Sequence, residues 1–132
     1  MSELTDALLK AQAELPTAIG RDSQGYGYRY TSLDKLIAET RPILNRHGVY
    51  IGQAPAYVDE VEGARPVLIT TLRCGDEDTQ FTTPLYVTDK TMQGYGAAIT
   101  YARRYAWAAV LGIASEEDTD AALPKDAEDV PF

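Results

Sequence analysis

The segment from Met92 to Ile113 constrains the fold of this chain more than any other stretch of its 132 residues. It opens Gln93-Gly94-Tyr95-Gly96-Ala97-Ala98-Ile99-Thr100-Tyr101-Ala102-Arg103-Arg104-Tyr105-Ala106 and closes Val110-Leu111-Gly112-Ile113-Ala114, a long helical pattern that is apolar on more than one face. Helical spacing turns Ala98, Ala102, Tyr105, Ala109 and Val110 toward one surface, and Thr100, Arg103, Arg104, Trp107 and Leu111 toward other sides. Such a helix needs more than one packing partner. Its small residues allow close backbone approach, and an outward Trp107 and Leu111 leave an apolar patch that invites a subunit neighbour. These two residues are the expected oligomer contacts.

What that helix packs on is written in the middle of the chain. Val49–Val58, Pro66–Arg73 and Thr79–Val87 read as strands, separated by turn-forming stretches at Asp59–Gly63 and Gly75–Asp78. Connections this short favour hairpins over crossover helices, so the expectation is a three-stranded antiparallel sheet packed with helices, an α+β fold. Upstream, Leu4, Leu8, Ala11 and Leu15 recur at helical spacing until Pro16 ends the run. The tyrosines of Tyr26-Gly27-Tyr28-Arg29-Tyr30 alternate along one face of an extended segment. A second helix follows, with Thr31 as the expected cap, Leu33, Leu36, Ile37, Ile43 and Leu44 as its apolar stripe, Gly48 as its stop and Pro42 as a kink or break.

Length allows one hydrophobic core, and the charge distribution separates it from a tail. The net charge of −8 is concentrated after residue 114: residues 115–132 hold seven acids and one lysine, whereas residues 1–114 are nearly balanced. The expected organisation is therefore a domain over 1–114 and a disordered acidic tail over 115–132. A nearly balanced body can still gather its positive charge into a groove. One cysteine, Cys74, cannot form an internal disulfide, the amino end is polar, and no apolar run reaches membrane-spanning length. These features predict a cytoplasmic protein without a membrane partner.

The chain resembles the Erf family of phage single-strand annealing proteins through three elements in order. The first is Tyr28-Arg29-Tyr30 leading to Leu33, Ile37, Thr40-Arg41-Pro42-Ile43-Leu44 and His47-Gly48. The strand section is the second. The third is Ala98-Ile99-Thr100-Tyr101-Ala102-Arg103-Arg104-Tyr105-Ala106 with Leu111-Gly112-Ile113. The resemblance spans roughly residues 4 to 120 and departs at Gly96-Ala97-Ala98, where family members carry a serine. It implies a sheet-and-helix core like that of annealing recombinases, assembled as a ring or helical filament. It also implies coating of single-stranded DNA and pairing with a complementary strand without ATP. Independently, the chain contains no Gly-x-x-x-x-Gly-Lys-Ser/Thr phosphate cradle.

Annealing requires neutralised phosphates and spaced bases with their pairing edges accessible. Lys90, Arg103 and Arg104 are the leading phosphate candidates, because adjacent arginines project about 100° apart on a helix and cannot both be buried against one surface. A salt bridge is the alternative for the arginines. Arg29 is either a DNA contact or a surface ion pair. Tyr28 and Tyr30, with Tyr26, are candidates for base stacking or for core packing. Gly94 and Gly96 either bring helix amides to a phosphate or provide a flexible entry.

Asp126-Ala127-Glu128-Asp129-Val130-Pro131-Phe132 resembles the acidic tip of bacterial single-stranded-DNA-binding proteins, which recruits DNA-processing enzymes. Asp126, Glu128 and Asp129 suit a basic rim, while Val130, Pro131 and Phe132 suit an apolar hole. Host proteins that recognise such tails are the expected partners, and self-competition for the DNA groove is the other role open to this segment. An enzyme is not expected: acids fall in turns, His47 adjoins a helix-stopping glycine, and Cys74 lacks zinc or catalytic partners. No metal or cofactor is expected. The alternative function is a protective single-stranded-DNA binder without annealing activity.

Overall fold

A computed structural model describes residues 2–25 and 28–115. Ser2 begins the first helix, α1 (Glu3–Glu14): its hydroxyl accepts from the Thr5 amide at 3.1 Å, and Glu3 and Asp6 place negative charge in the first turn. Leu4, Ala7 and Ala11 form its buried stripe. A short antiparallel hairpin follows, β1 (Ser23–Gly25) on β2 (Tyr28–Tyr30), with Gln24 opposite Arg29.

The next helix, α2 (Leu33–Arg46), has no side-chain cap bond, against the expectation. Ser32 occupies the cap position, and Thr31 is fully buried with its hydroxyl donating to the Ile19 carbonyl at 2.9 Å. Pro42 does not divide the helix, which continues to Arg46. Proline removes the bond to the carbonyl four residues back, and here that residue, Ala38, is exposed, so water can take the freed oxygen.

The sheet is a meander of β3 (Tyr50–Glu60), β4 (Gly63–Cys74) and β5 (Glu77–Pro84), all antiparallel and in sequence order. Both hairpins are tighter than expected: Glu60 pairs Gly63, and Cys74 pairs Glu77, leaving two residues in each turn. Gly75 supplies the positive φ, +61°, that such a turn requires. β5 stops at Pro84 rather than Val87, because Leu85 turns into the core, where it is 5 % exposed.

The last helix, α3 (Met92–Leu111), starts on a Thr91 cap that accepts from the Gly94 amide at 3.0 Å. It ends two residues before Ile113, at Gly112 in the left-handed conformation, with the Ile113 amide returning to the Ala108 carbonyl. Its need for two partners is met within the chain. Ala102 and Ala106 pack with Leu68 and Leu85 over the sheet. Trp107, Ala108 and Leu111 join Leu4, Ala11, Leu36, Leu44, Ile51 and Leu72 in the main core.

The surface position expected for Trp107 and Leu111 is therefore corrected: they are 2 % and 5 % exposed, covered by α1 and α2, and cannot serve as an outward patch. Ala109, expected toward the sheet, is exposed. Beyond α3 the chain is held at two points. Ala114 bridges Ala18 in parallel, the Ala114 amide donates to the Thr17 carbonyl, and the Thr31 amide donates to the Ser115 carbonyl at 2.8 Å. These bonds set the β1–β2 hairpin beside α3.

Candidate nucleic-acid interface

Tyr101, Arg104 and Tyr105 are three and four residues apart, so they share one face of α3. The tyrosine rings lie 4.9 Å apart, centroid to centroid, with their hydroxyls 3.3 Å apart. Across from them β2 delivers Tyr30. The Arg104 guanidinium carbon sits 4.0 Å from the Tyr30 ring centroid, 5.2 Å from that of Tyr101 and 5.1 Å from that of Tyr105. One cation thus lies among three aromatic rings and ties the hairpin to the helix. Such contacts contribute about 0.5–2 kcal/mol each, more as water is excluded, and Arg104 is only 6 % exposed.

Above this cluster runs a groove of about 630 Å³ between the hairpin, the start of α2 and the first half of α3. Tyr30, Tyr101 and Arg104 form its aromatic and cationic side, and Ser23, Ser32, Asp34 and Thr100 supply polar groups. Its charge is mixed in sign. The hairpin side is braced by Asp22, whose carboxylate accepts from the Ser32 amide at 2.8 Å and the Ser32 hydroxyl at 2.7 Å. Those bonds hold the Asp22 carboxyl below the usual carboxylate range.

The adjacent arginines do diverge, but they serve different surfaces. Arg103 turns to the sheet, where its Nε donates to Gln53 Oε1 at 3.2 Å, and Gln53 Nε2 donates to the Arg103 carbonyl and the Thr70 hydroxyl. The structure thus does not bring Arg103 and Arg104 together in one groove, and neither is an extended surface cation. Lys90 is exposed in the segment before α3, and Arg29 is exposed on β2. Tyr28 is placed by its backbone, opposite Gly25. The tail residues Asp126, Glu128, Asp129, Val130, Pro131 and Phe132 lie outside the described residues.

His47, at the end of α2, contacts the Glu14 carboxylate, as does Arg46 at 3.1 Å, and these hydrogen bonds hold the Glu14 carboxyl down. Tyr101 and Tyr105 were not among the candidate contacts read from the sequence, although the Tyr101-x-x-Arg104-Tyr105 spacing already placed a cation between two rings. Tyr86, 55 % exposed beside α3, carried no comparable signal.

These features define a class: a small α+β body with an aromatic and cationic groove at its surface. A family model described as the ERF superfamily matches residues 4–129. The chain belongs to this superfamily, a family of phage single-strand annealing proteins. Neither the curated proteins nor the solved structures provide a match. Among the described residues, no helix is long and apolar enough to cross a membrane.

Proposed function

We propose that this chain binds single-stranded DNA and anneals complementary strands without ATP, in phage-type homologous recombination within the bacterial cytoplasm. The observation that carries the reading is the groove in which Arg104 lies among Tyr30, Tyr101 and Tyr105. Stacking on tyrosine faces is tolerant of sequence and leaves the pairing edges of the bases outward. A positive charge held in a poorly solvated groove attracts phosphate more strongly than the same charge in open water. Arg29 and Lys90 extend the phosphate path from the exposed hairpin and the entry to α3. Binding through phosphates on an acidic protein weakens steeply with salt.

Assembly into a ring or filament belongs to the same proposal. With Trp107 and Leu111 inside the body, the contacts between copies fall to the sheet. Among the described residues its edge strands β3 and β5 are open, and Tyr50 and Tyr57 on β3 are 57 % and 64 % exposed. The acidic segment ending Val130-Pro131-Phe132 is assigned to recruiting host DNA-processing proteins. No bond-making or bond-breaking chemistry is assigned to the chain.

The test is pairing of two complementary oligonucleotides, one fluorescent and one quenching, without ATP. Wild type should accelerate pairing, and Arg104→Lys and Tyr101→Ala, each verified as folded, should lose most of the acceleration. Binding of each strand with slowed pairing would replace annealing by protective binding. Absence of strand binding would overturn the reading altogether.

A further inference from the structure

We infer that the cavity on the other side of Tyr101, between the Tyr86 segment and the first half of α3, is a nucleobase pocket. It would receive a base of the same strand that occupies the Arg104 groove. The inference rests on the function proposed above and adds a second, chemically distinct subsite to it. Two concavities flank Tyr101, the groove of about 630 Å³ and this cavity of about 600 Å³, and both are lined by Ala97 and Tyr101. A strand crossing α3 at Ala97 passes from one directly into the other.

The cavity has the shape and chemistry for a flat aromatic ligand. Its helix wall is made of Gly94, Ala97, Ala98 and Ala102, so a planar ring can approach the backbone closely. Tyr86 and Tyr101 supply aromatic rings to the lining, and Tyr86 is 55 % exposed although its neighbours Leu85 and Val87 pack into the core. Besides the two tyrosine hydroxyls, polar side chains are confined to Thr88, Asp89 and Gln93, the few-donor pattern of a site that orients an apolar guest.

The rim is pre-formed. The Thr91 hydroxyl accepts from the Gly94 amide at 3.0 Å and donates to Asp89 Oδ2 at 3.1 Å, and Asp89 presses so close to α3 that a Cβ on Gly94 would meet its carbonyl oxygen at 2.1 Å. Little ordering is then left to oppose binding.

Charge decides which part of a nucleotide enters. The Asp89 carboxylate repels phosphate, whereas a base carries no such charge. The Arg104 side of Tyr101 attracts phosphate. The two subsites therefore take complementary parts of one strand, with Lys90, next to Asp89, exposed where the backbone leaves.

The experiment compares binding of an oligothymidine and of an abasic oligonucleotide of equal length to wild type, Tyr86→Ala, Tyr86→Phe and Ala98→Leu. Unchanged Trp107 emission serves as the check on folding. Tyr86→Ala should weaken binding to the base-bearing strand about five- to 150-fold, the worth of one stacked base, and leave abasic binding unchanged. Tyr86→Phe should keep wild-type affinity, and Ala98→Leu, which fills the cavity without altering charge, should repeat the loss. Equal loss on both oligonucleotides, or no loss in Tyr86→Ala and Ala98→Leu, overturns the pocket while leaving the Arg104 groove standing. If wild type binds neither oligonucleotide, the proposed function fails and the pocket fails with it.

Discussion

The indole N–H of Trp107 donates to the Thr40 hydroxyl at 2.8 Å, and that hydroxyl donates in turn to the Leu36 carbonyl at 2.6 Å. This buried relay fastens α3 to α2 at the centre of the main core. A side chain that periodicity alone turns outward is thus the hinge pin between two helices.

Replacing Trp107 by alanine should cost about 3–5 kcal/mol, the usual range for emptying a large buried aromatic site. Trp107→Phe should cost less, with about 0.5–1.5 kcal/mol traceable to the lost hydrogen bond. Urea unfolding followed by circular dichroism measures both. A loss in Trp107→Ala no greater than for an exposed residue would mean that the indole is not a core element.

The two glycines at the start of α3 should respond to alanine with opposite signs. A Cβ on Gly96 meets nothing within 4 Å, whereas one on Gly94 meets the Asp89 carbonyl oxygen at 2.1 Å. Gly96→Ala should therefore stabilise by up to about 1 kcal/mol through helix propensity. Gly94→Ala must displace the loop that shapes the Tyr86 cavity and should lower the melting temperature. Equal shifts in the two variants would contradict this geometry.

Acid should loosen the hairpin side of the groove through Asp22. Its folded carboxyl titrates below the unfolded one because it accepts two hydrogen bonds from Ser32. Its stabilisation is present above the unfolded carboxylate range and disappears as pH falls through the lower folded value. Asp22→Asn should accordingly flatten the acid limb of the stability curve below about pH 4 and leave the neutral-pH slope unchanged. Melting curves across that range are the measurement, and an unaltered acid limb would count against the assignment.

Cys74 should be nearly inert in the folded protein. Burial, together with the Glu3 and Glu77 carboxylates, pushes its thiol up, and its side chain is 6 % exposed. Since the thiolate is the reactive form, alkylation by iodoacetamide at neutral pH should track unfolding. Rapid labelling of the native chain would show that this corner of the core opens.

What could be read in advance was local. The three strands and their order were legible because short turn-forming stretches connect neighbours in sequence, and a turn glycine such as Gly75 marks itself. The α2 cap was not legible. Thr31 and Ser32 are both capping types, and the choice is made by the Ile19 carbonyl, which claims the Thr31 hydroxyl from a segment twelve residues away. Periodicity likewise assigned faces to α3 without saying what covers them. The cover for Trp107 and Leu111 includes α1, from the opposite end of the domain. The candidate site was half visible: Arg104 between Tyr101 and Tyr105 is a matter of helical spacing, whereas Tyr30 reaches Arg104 only through the tertiary fold. The readings made on residues 116–132 lie outside the described residues.

The bond from the Thr31 amide to the Ser115 carbonyl also imposes an order on birth. A chain emerging from the ribosome presents Thr31 early and Ser115 only after the whole sheet and α3 have appeared. Until then Thr31 and Thr17 await their backbone partners, and the hairpin has nothing to clasp. Released chains truncated before and after Ser115 should therefore differ in protease cleavage between residues 17 and 31. The hairpin side of the groove thus depends on a bond to residue 115, and a chain lacking that residue lacks the tie that holds the hairpin in place.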